Sequence, residues 1–180
     1  MLAALSVLTK ITNQQVVLAV KDLVDQLLVH AHEMIRKKSV IVMMKFNQVM
    51  PIEGFESKMK RALCDKDPSV MAAALNHYVL MCKQKPSEYK DLVQSLLIIL
   101  KQVTDHRLPR DYDYHRMPAP WIQAQILECM AHLGQDDEEA SKQMYETITY
   151  ILNKSNDYGI NIGYALVYQC LKTITMIHPH

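Results

Sequence analysis

With 180 residues, the chain has room for one ordinary domain or for a piece of a longer repeat array. Hydrophobic residues make up 49% and charged residues 22%, which excludes a disordered chain and supplies both a core and a solvated surface. The formal net charge is only +1, so the basic excess that nucleic-acid-binding proteins use to neutralise phosphates is missing, and no nucleic-acid partner is expected.

No apolar run approaches a bilayer span, since Leu96 to Leu100 is five residues between polar flanks. The opening Met1-Leu2-Ala3-Ala4-Leu5 lacks a basic stretch and is too short for a signal peptide, so a cytosolic chain is expected. Cys64, Cys82, Cys129 and Cys170 show no Cys-x-x-Cys spacing, and each sits in or at the end of an apolar run. Buried, reduced thiols are the expectation.

From Gln14 to Val29, the residues Val16, Val20, Leu23, Val24, Leu27 and Leu28 share one face at helical spacing. A second helix is predicted from about His32 to Val49, with Ile35, Val40, Met43, Met44 and Val49 as its stripe, broken by Pro51-Ile52-Glu53-Gly54. A short helix from Phe55 to Cys64 follows. Asp67 then has the chemistry of an N-cap and Pro68 that of a first helical residue, whose missing N–H costs nothing there. That helix uses Val70, Ala73, Ala74, Tyr78 and Met81 and ends before Pro86. Ser87 is the expected cap of the next, with Tyr89, Leu92, Val93, Leu96, Leu100 and Val103 inward. A long polar and aromatic loop occupies Asp105 to Pro118. Trp121 to Leu133 is helical again, closed by Gly134 as a C′ glycine. The acidic run Asp136 to Glu139 suits the first turn of the following helix, where negative charge opposes the dipole. Ala140, Met144, Ile148, Ile151 and Leu152 continue it, and a last helix runs from about Asn161 to Ile177. Only Gly54, Gly134, Gly159 and Gly163 punctuate the chain, and nothing alternates like a strand.

The prediction is therefore all-α, about nine helices. The segment from Ile35 and that from Val70 repeat an apolar–small–apolar rhythm at a 35-residue offset. Helix pairs recurring at that period predict a HEAT or armadillo-like α-solenoid over residues 1–180, in which each pair buries its faces only by stacking on neighbours. Neither end reads as a polar capping repeat, so the segment is expected to be an excerpt of a larger array whose apolar ends favour self-association.

No catalytic constellation emerges, and no catalytic, cofactor-binding or metal-ligating residue is assigned. His30 and His32, like His178 and His180, are two apart, and i and i+2 side chains diverge on a helix. Gly-x-Gly and Walker patterns are absent. Two features are less bland. Lys37, Lys38, Lys58, Lys60 and Arg61 gather on adjacent predicted helices; a solvated face is the plainer reading, contact with an acidic protein surface or anionic headgroups the sharper one. The loop from Leu108 to Trp121 is long, proline-framed and aromatic. Trp121 is expected to plug the core while Pro118 and Pro120 fix where the helix begins, leaving Tyr112 and Tyr114 as a candidate contact pair.

Tyr114-His115 followed by Pro118-Ala119-Pro120-Trp121-Ile122-Gln123 resembles the trunk of the large adaptin subunits of vesicle-coat adaptor complexes. The flanking Tyr-His and Ile-Gln favour the epsilon branch, the large chain of adaptor protein complex 4. Arg61-Ala62-Leu63-Cys64-Asp65, Tyr89-Lys90-Asp91-Leu92 and Leu133-Gly134-Gln135-Asp136-Asp137 agree, so the resemblance covers nearly the whole chain. One departure is Glu128, near which adaptins tend to carry a basic residue. The resemblance implies a non-enzymatic scaffold in a heterotetrameric coat adaptor that sorts cargo at the trans-Golgi network. Its implied partners are a small sigma chain, a beta-type large chain and a GTP-loaded Arf-family GTPase, with peripheral membrane association and no cofactor. Rivals are another HEAT scaffold, such as a different adaptin or a coatomer subunit, and a HEAT-like DNA glycosylase built on Trp121 and Asp113. The weak net charge opposes the glycosylase.

Overall fold

The computed structural model describes residues 1–157 and 161–179; Gly159 and His180, both used in the sequence reading, lie outside the described residues. Among the described residues there are nine α-helices, and the fold is all-α with paired helices of the HEAT/armadillo kind. The chain divides into two compact units, Met1–His77 and Tyr78–His180.

The first unit holds α1 (Leu2–Leu8), α2 (Gln14–Leu27), α3 (Glu33–Val49), α4 (Phe55–Leu63) and the start of α5 (Pro68–Gln84), which carries the chain into the second unit. The starts of α2 to α5 have chemical causes. Asn13 Oδ1 accepts the Gln15 N–H at 2.8 Å, and His32 Nδ1 accepts the Met34 N–H at 3.2 Å. His30 Nδ1 in turn accepts the His32 N–H at 3.0 Å, so both histidines serve helix geometry. Gly54 precedes α4 at φ 66°, a left-handed conformation that glycine alone adopts without Cβ strain. Asp67 Oδ1 accepts the Ser69 N–H at 2.9 Å, so the Asp67-Pro68 signal does begin α5.

The core of this unit is formed by Val17 and Val24 of α2, Val40, Met43 and Phe46 of α3, and Met59 and Leu63 of α4. The expected α2 stripe is thus corrected: Val16 and Leu23 are exposed, and Val17 is buried in their place. Val20 and Leu27 are half-buried, so the inward side of α2 is centred on Val17 and Val24, two turns apart.

One buried ion pair organises the turns. Arg36, 5% exposed, donates from Nε and Nη2 to the two carboxylate oxygens of Asp65, each at 2.8 Å. Its Nη1 donates to the carbonyls of His30 and Ala31, both at 2.9 Å. Asp65 Oδ1 also accepts the Asp67 N–H at 2.8 Å. The α2–α3 turn, the start of α3 and the α4–α5 turn are therefore tied by one guanidinium. The Asp65 hydrogen bonds raise the Arg36 pKa above the ordinary arginine value against the opposing effect of burial.

The second unit holds α6 (Leu92–Thr104), α7 (Pro120–Leu133), α8 (Glu138–Asp157) and α9 (Asn161–Met176). Ser87 does not cap α6. Pro86–Tyr89 instead forms a 3-10 turn that buries Tyr89, and α6 begins after Asp91 without a side-chain cap. Polar side chains close the far end. Lys90 Nζ donates to the carbonyls of Leu133 and Gln135 and pairs with Asp137 at 3.2 Å. The His178 N–H donates to Gly134 O at 3.0 Å, and Tyr145 Oη donates to His178 O at 3.0 Å. The start of α8 therefore lies beside the end of α9, and the two run antiparallel.

Gly134 corrects an expectation. Its φ is −81°, so no left-handed cap is formed. A Cβ there would lie 2.6 Å from Ile177 Cγ2 and 3.0 Å from Met144 Sδ. Close packing requires the glycine, not backbone handedness. The absence of extended structure is also corrected: Asp113–Tyr114 and Met117–Pro118 pair as short antiparallel strands β1 and β2. Two residues per strand are too few to show alternation in the sequence.

Two stability predictions follow from these contacts. Asp65→Ala leaves Arg36 buried and uncompensated and should cost about 3–5 kcal/mol in urea unfolding, whereas the paired replacement Arg36→Met with Asp65→Leu should restore only part of it, because the His30 and Ala31 carbonyls and the Asp67 N–H then lose their partners. Gly134→Ala should cost about 1–3 kcal/mol through overpacking against Ile177, with helical circular dichroism retained.

Candidate partner-binding surfaces

The aromatic loop becomes a defined structure in the second unit. A 3-10 turn, Arg110–Tyr112, leads into β1, and the β1–β2 turn places His115 at φ 49° and Arg116 at φ 68°. Two consecutive left-handed residues are what a tight hairpin turn needs, although neither is glycine. Ala119, fully buried, is also left-handed at φ 34°. The Ala119 N–H donates to Tyr112 O at 2.9 Å, and Gln123 Nε2 donates to Pro118 O at 2.6 Å. These bonds fix the direction in which Pro120 starts α7.

Trp121 does not plug the core; it is 43% exposed. The inward face of α7 is taken by Ile122, Ile126 and Met130, with Met117 filling the space beneath the hairpin. Position 121 points away from that face, as helical geometry requires of a residue beside Ile122. Pro118 and Pro120 are buried, with Pro120 in the first turn of α7.

Trp121 instead forms a wall of an open groove of about 1080 Å³, together with Tyr114, His115, Pro120 and the α9 residues Ala165, Tyr168 and Gln169. Tyr114 packs edge-on against His115, with ring centroids 4.5 Å apart, and Tyr168 is largely exposed. Tyr112 does not line the groove. The contribution of α9 was not legible in the sequence, because Tyr168 and Gln169 lie far along the chain with no motif linking them to the loop.

Glu128 holds α7 to α9 beside this groove. It accepts from Lys172 Nζ at 2.6 and 2.9 Å and from Gln169 Nε2 at 2.8 Å, with His132 Nε2 at 3.6 Å. Partial burial raises its pKa, but the Lys172 and Gln169 hydrogen bonds outweigh that, and the net shift is downward. Asp137 is also held low, first by the Ala140 N–H. The carboxylate at 128 is thus matched by a lysine on the neighbouring helix.

In the first unit, the basic residues separate. Lys58 and Arg61 line a second groove of about 360 Å³ with Asp25, Leu28, Val29 and Arg36. Lys60 is on the exposed face of α4, while Lys37 and Lys38 are half-buried on α3 and do not line the groove. Lys58 pairs with Asp25 at 3.2 Å. Among the described residues, no group of three or more His, Cys, Asp or Glu is placed to hold a metal ion, and no helix is long and apolar enough to cross a membrane.

Cys82, Cys129 and Cys170 are buried, but the expectation for Cys64 fails: it is exposed, at the C-terminal cap of α4. The hydrogen bond to Cys82 and then burial push the Cys129 thiol well up, and burial pushes Cys170 to about 12, so both remain protonated thiols.

A stack of paired helices whose open features are surface grooves is the architecture of a binding scaffold. The chain belongs to the adaptin family: the sequence profile of the adaptin N-terminal region matches residues 1–180. It is 39% identical to mouse (Mus musculus) AP-4 complex subunit epsilon-1 over 178 residues, covering 98% of this chain and 16% of that protein. The AP-4 complex subunit epsilon of Arabidopsis thaliana is 39% identical over 180 residues, covering 99% and 19%. The AP-1 complex subunit gamma of Dictyostelium discoideum is more distant, at 27% over 159 residues, covering 86% and 18%. The chain spans less than a fifth of the length of these relatives.

Two outcomes are expected. Trp121→Ala should cost no more than about 1 kcal/mol by thermal unfolding, against about 3–5 kcal/mol for a core tryptophan. Glu128 and Asp137 are depressed carboxylates, so their contribution is present above their ordinary values near pH 4 and is lost as pH falls through the lower folded values. Glu128→Gln should therefore flatten the fall in stability below about pH 4 in acid titrations followed by circular dichroism.

Proposed function

We propose that this chain is a trunk segment of the large subunit of a heterotetrameric vesicle-coat adaptor, a scaffold supporting intracellular transport and cargo sorting at the trans-Golgi network. The observation that carries this reading is the similarity to AP-4 epsilon chains along 98–99% of the sequence. Adaptins are structural trafficking adaptors, and the reading assigns no catalysis to this chain. Its partners are other adaptor subunits: a small sigma chain and a beta-type large chain, with recruitment by an Arf-family GTPase to the cytoplasmic face of the membrane.

The exposed rings of Tyr114, Trp121 and Tyr168 support a holding function, because rigid aromatic area binds with little loss of side-chain freedom. Tyr112 before the hairpin and Tyr114 on it, and Lys37, Lys38, Lys58, Lys60 and Arg61 in the first unit, are the partner contacts this reading assigns.

Co-expression of the chain with the cognate sigma chain, followed by size-exclusion chromatography, tests it. Co-elution as one stable species is the expected result. A chain that is folded and helical by circular dichroism yet elutes apart from sigma would count against a sigma contact within these helices.

A further inference from the structure

The groove beside α4 has a chemistry of its own. Two of its three cations are already committed. Arg36 is buried and held bidentate by Asp65, and Lys58 is paired with Asp25 at 3.2 Å. Arg61 is exposed, and among the described residues no carboxylate pairs with it. The groove therefore has a fixed, internally neutralised floor and one available guanidinium. Residues 1–77 carry ten basic and seven acidic side chains, so the surrounding field also favours an anion. The same groove is lined by the apolar Leu28 and Val29, with Val29 62% exposed.

A guanidinium offers paired donors that match a carboxylate in one plane. An aliphatic side chain next to that carboxylate would cover Val29. An anionic membrane fits less well. The site is concave, and Lys37 and Lys38 lie outside it, which leaves no flat basic surface for a bilayer.

We propose that this groove binds an acidic segment of a partner protein, with one carboxylate on Arg61 and a neighbouring aliphatic side chain against Leu28 and Val29. The site is independent of which coat complex the chain serves, so it can fail while the sigma contact holds, and the reverse.

The test is fluorescence anisotropy of the 180-residue chain with a short fluorescein-labelled peptide of alternating Glu and Leu, alongside all-Glu and Gln/Leu peptides. The expected result is saturable binding of the Glu/Leu peptide that weakens with salt and exceeds that of both controls. Arg61→Glu should weaken it by about tenfold or more, Arg61→Lys should weaken it less, and Lys10→Glu, outside the groove, should leave it nearly unchanged. Circular dichroism establishes that the variants are folded, and Arg61 is exposed, so folding should survive. Equal loss in Arg61→Glu and Lys10→Glu would mean a diffuse basic field and would overturn the site. So would sedimentation with phosphatidylserine vesicles that depends on Arg61 without peptide binding, or a Glu/Leu peptide that binds no better than the all-Glu control.

Discussion

Stacking helices against one another brings their ends together, and the last carbonyl groups of a helix have no partner within it and must find donors elsewhere. The rest of this structure depends on how that demand is met. In the first unit, Arg36 answers it, reaching the His30 and Ala31 carbonyls with one nitrogen while its other two hold Asp65. In the second, Lys90 closes the end of α7 at Leu133 and Gln135, and the Ser141 hydroxyl donates to Gly134 O at 2.9 Å. Each donor is a long or mobile polar side chain whose own charge or lone pairs are matched nearby. Without that, burying the apolar stripes would strand polar groups at a cost comparable to the gain.

The same arrangement separates what is fixed from what is available. Arg36 and Lys90 are consumed by architecture, as are the histidines at 30 and 32, which serve as acceptors at the start of α3. What remains on the surface is a smaller set: the rings of Tyr114, Trp121 and Tyr168 around one groove, and Arg61 in another. A scaffold that works by holding partners requires this division. Contact residues are left outward only where the inward face is already complete, as on α7, where Ile122, Ile126 and Met130 fill the core and Trp121 is free to turn out.

The helices themselves, from the start of α2 at Gln14 to the cap of α5 at Asp67, were legible in the chain because capping and 3.6-residue periodicity are local effects. So was the family resemblance, carried by the segment from Tyr114 to Gln123. Local chemistry also fixed Pro120 at the start of α7 and the acidic first turn of α8.

Tertiary structure decided the rest, because packing depends on what lies opposite. Periodicity showed that α2 has an apolar side but not that its buried positions would be Val17 and Val24, with Val16 and Leu23 outside. A tryptophan after two prolines carries no mark of whether the core beneath is already full. Gly134 looked like a left-handed cap, and only the approach of Ile177 reveals a glycine selected for space. The grooves belong to the same class: Tyr168 lines one with Trp121, and Arg61 lines the other with Val29, from stretches of chain that share no local signal. The sequence by itself determined the helices and the family; the pairing of their faces determined which side chains are left to bind.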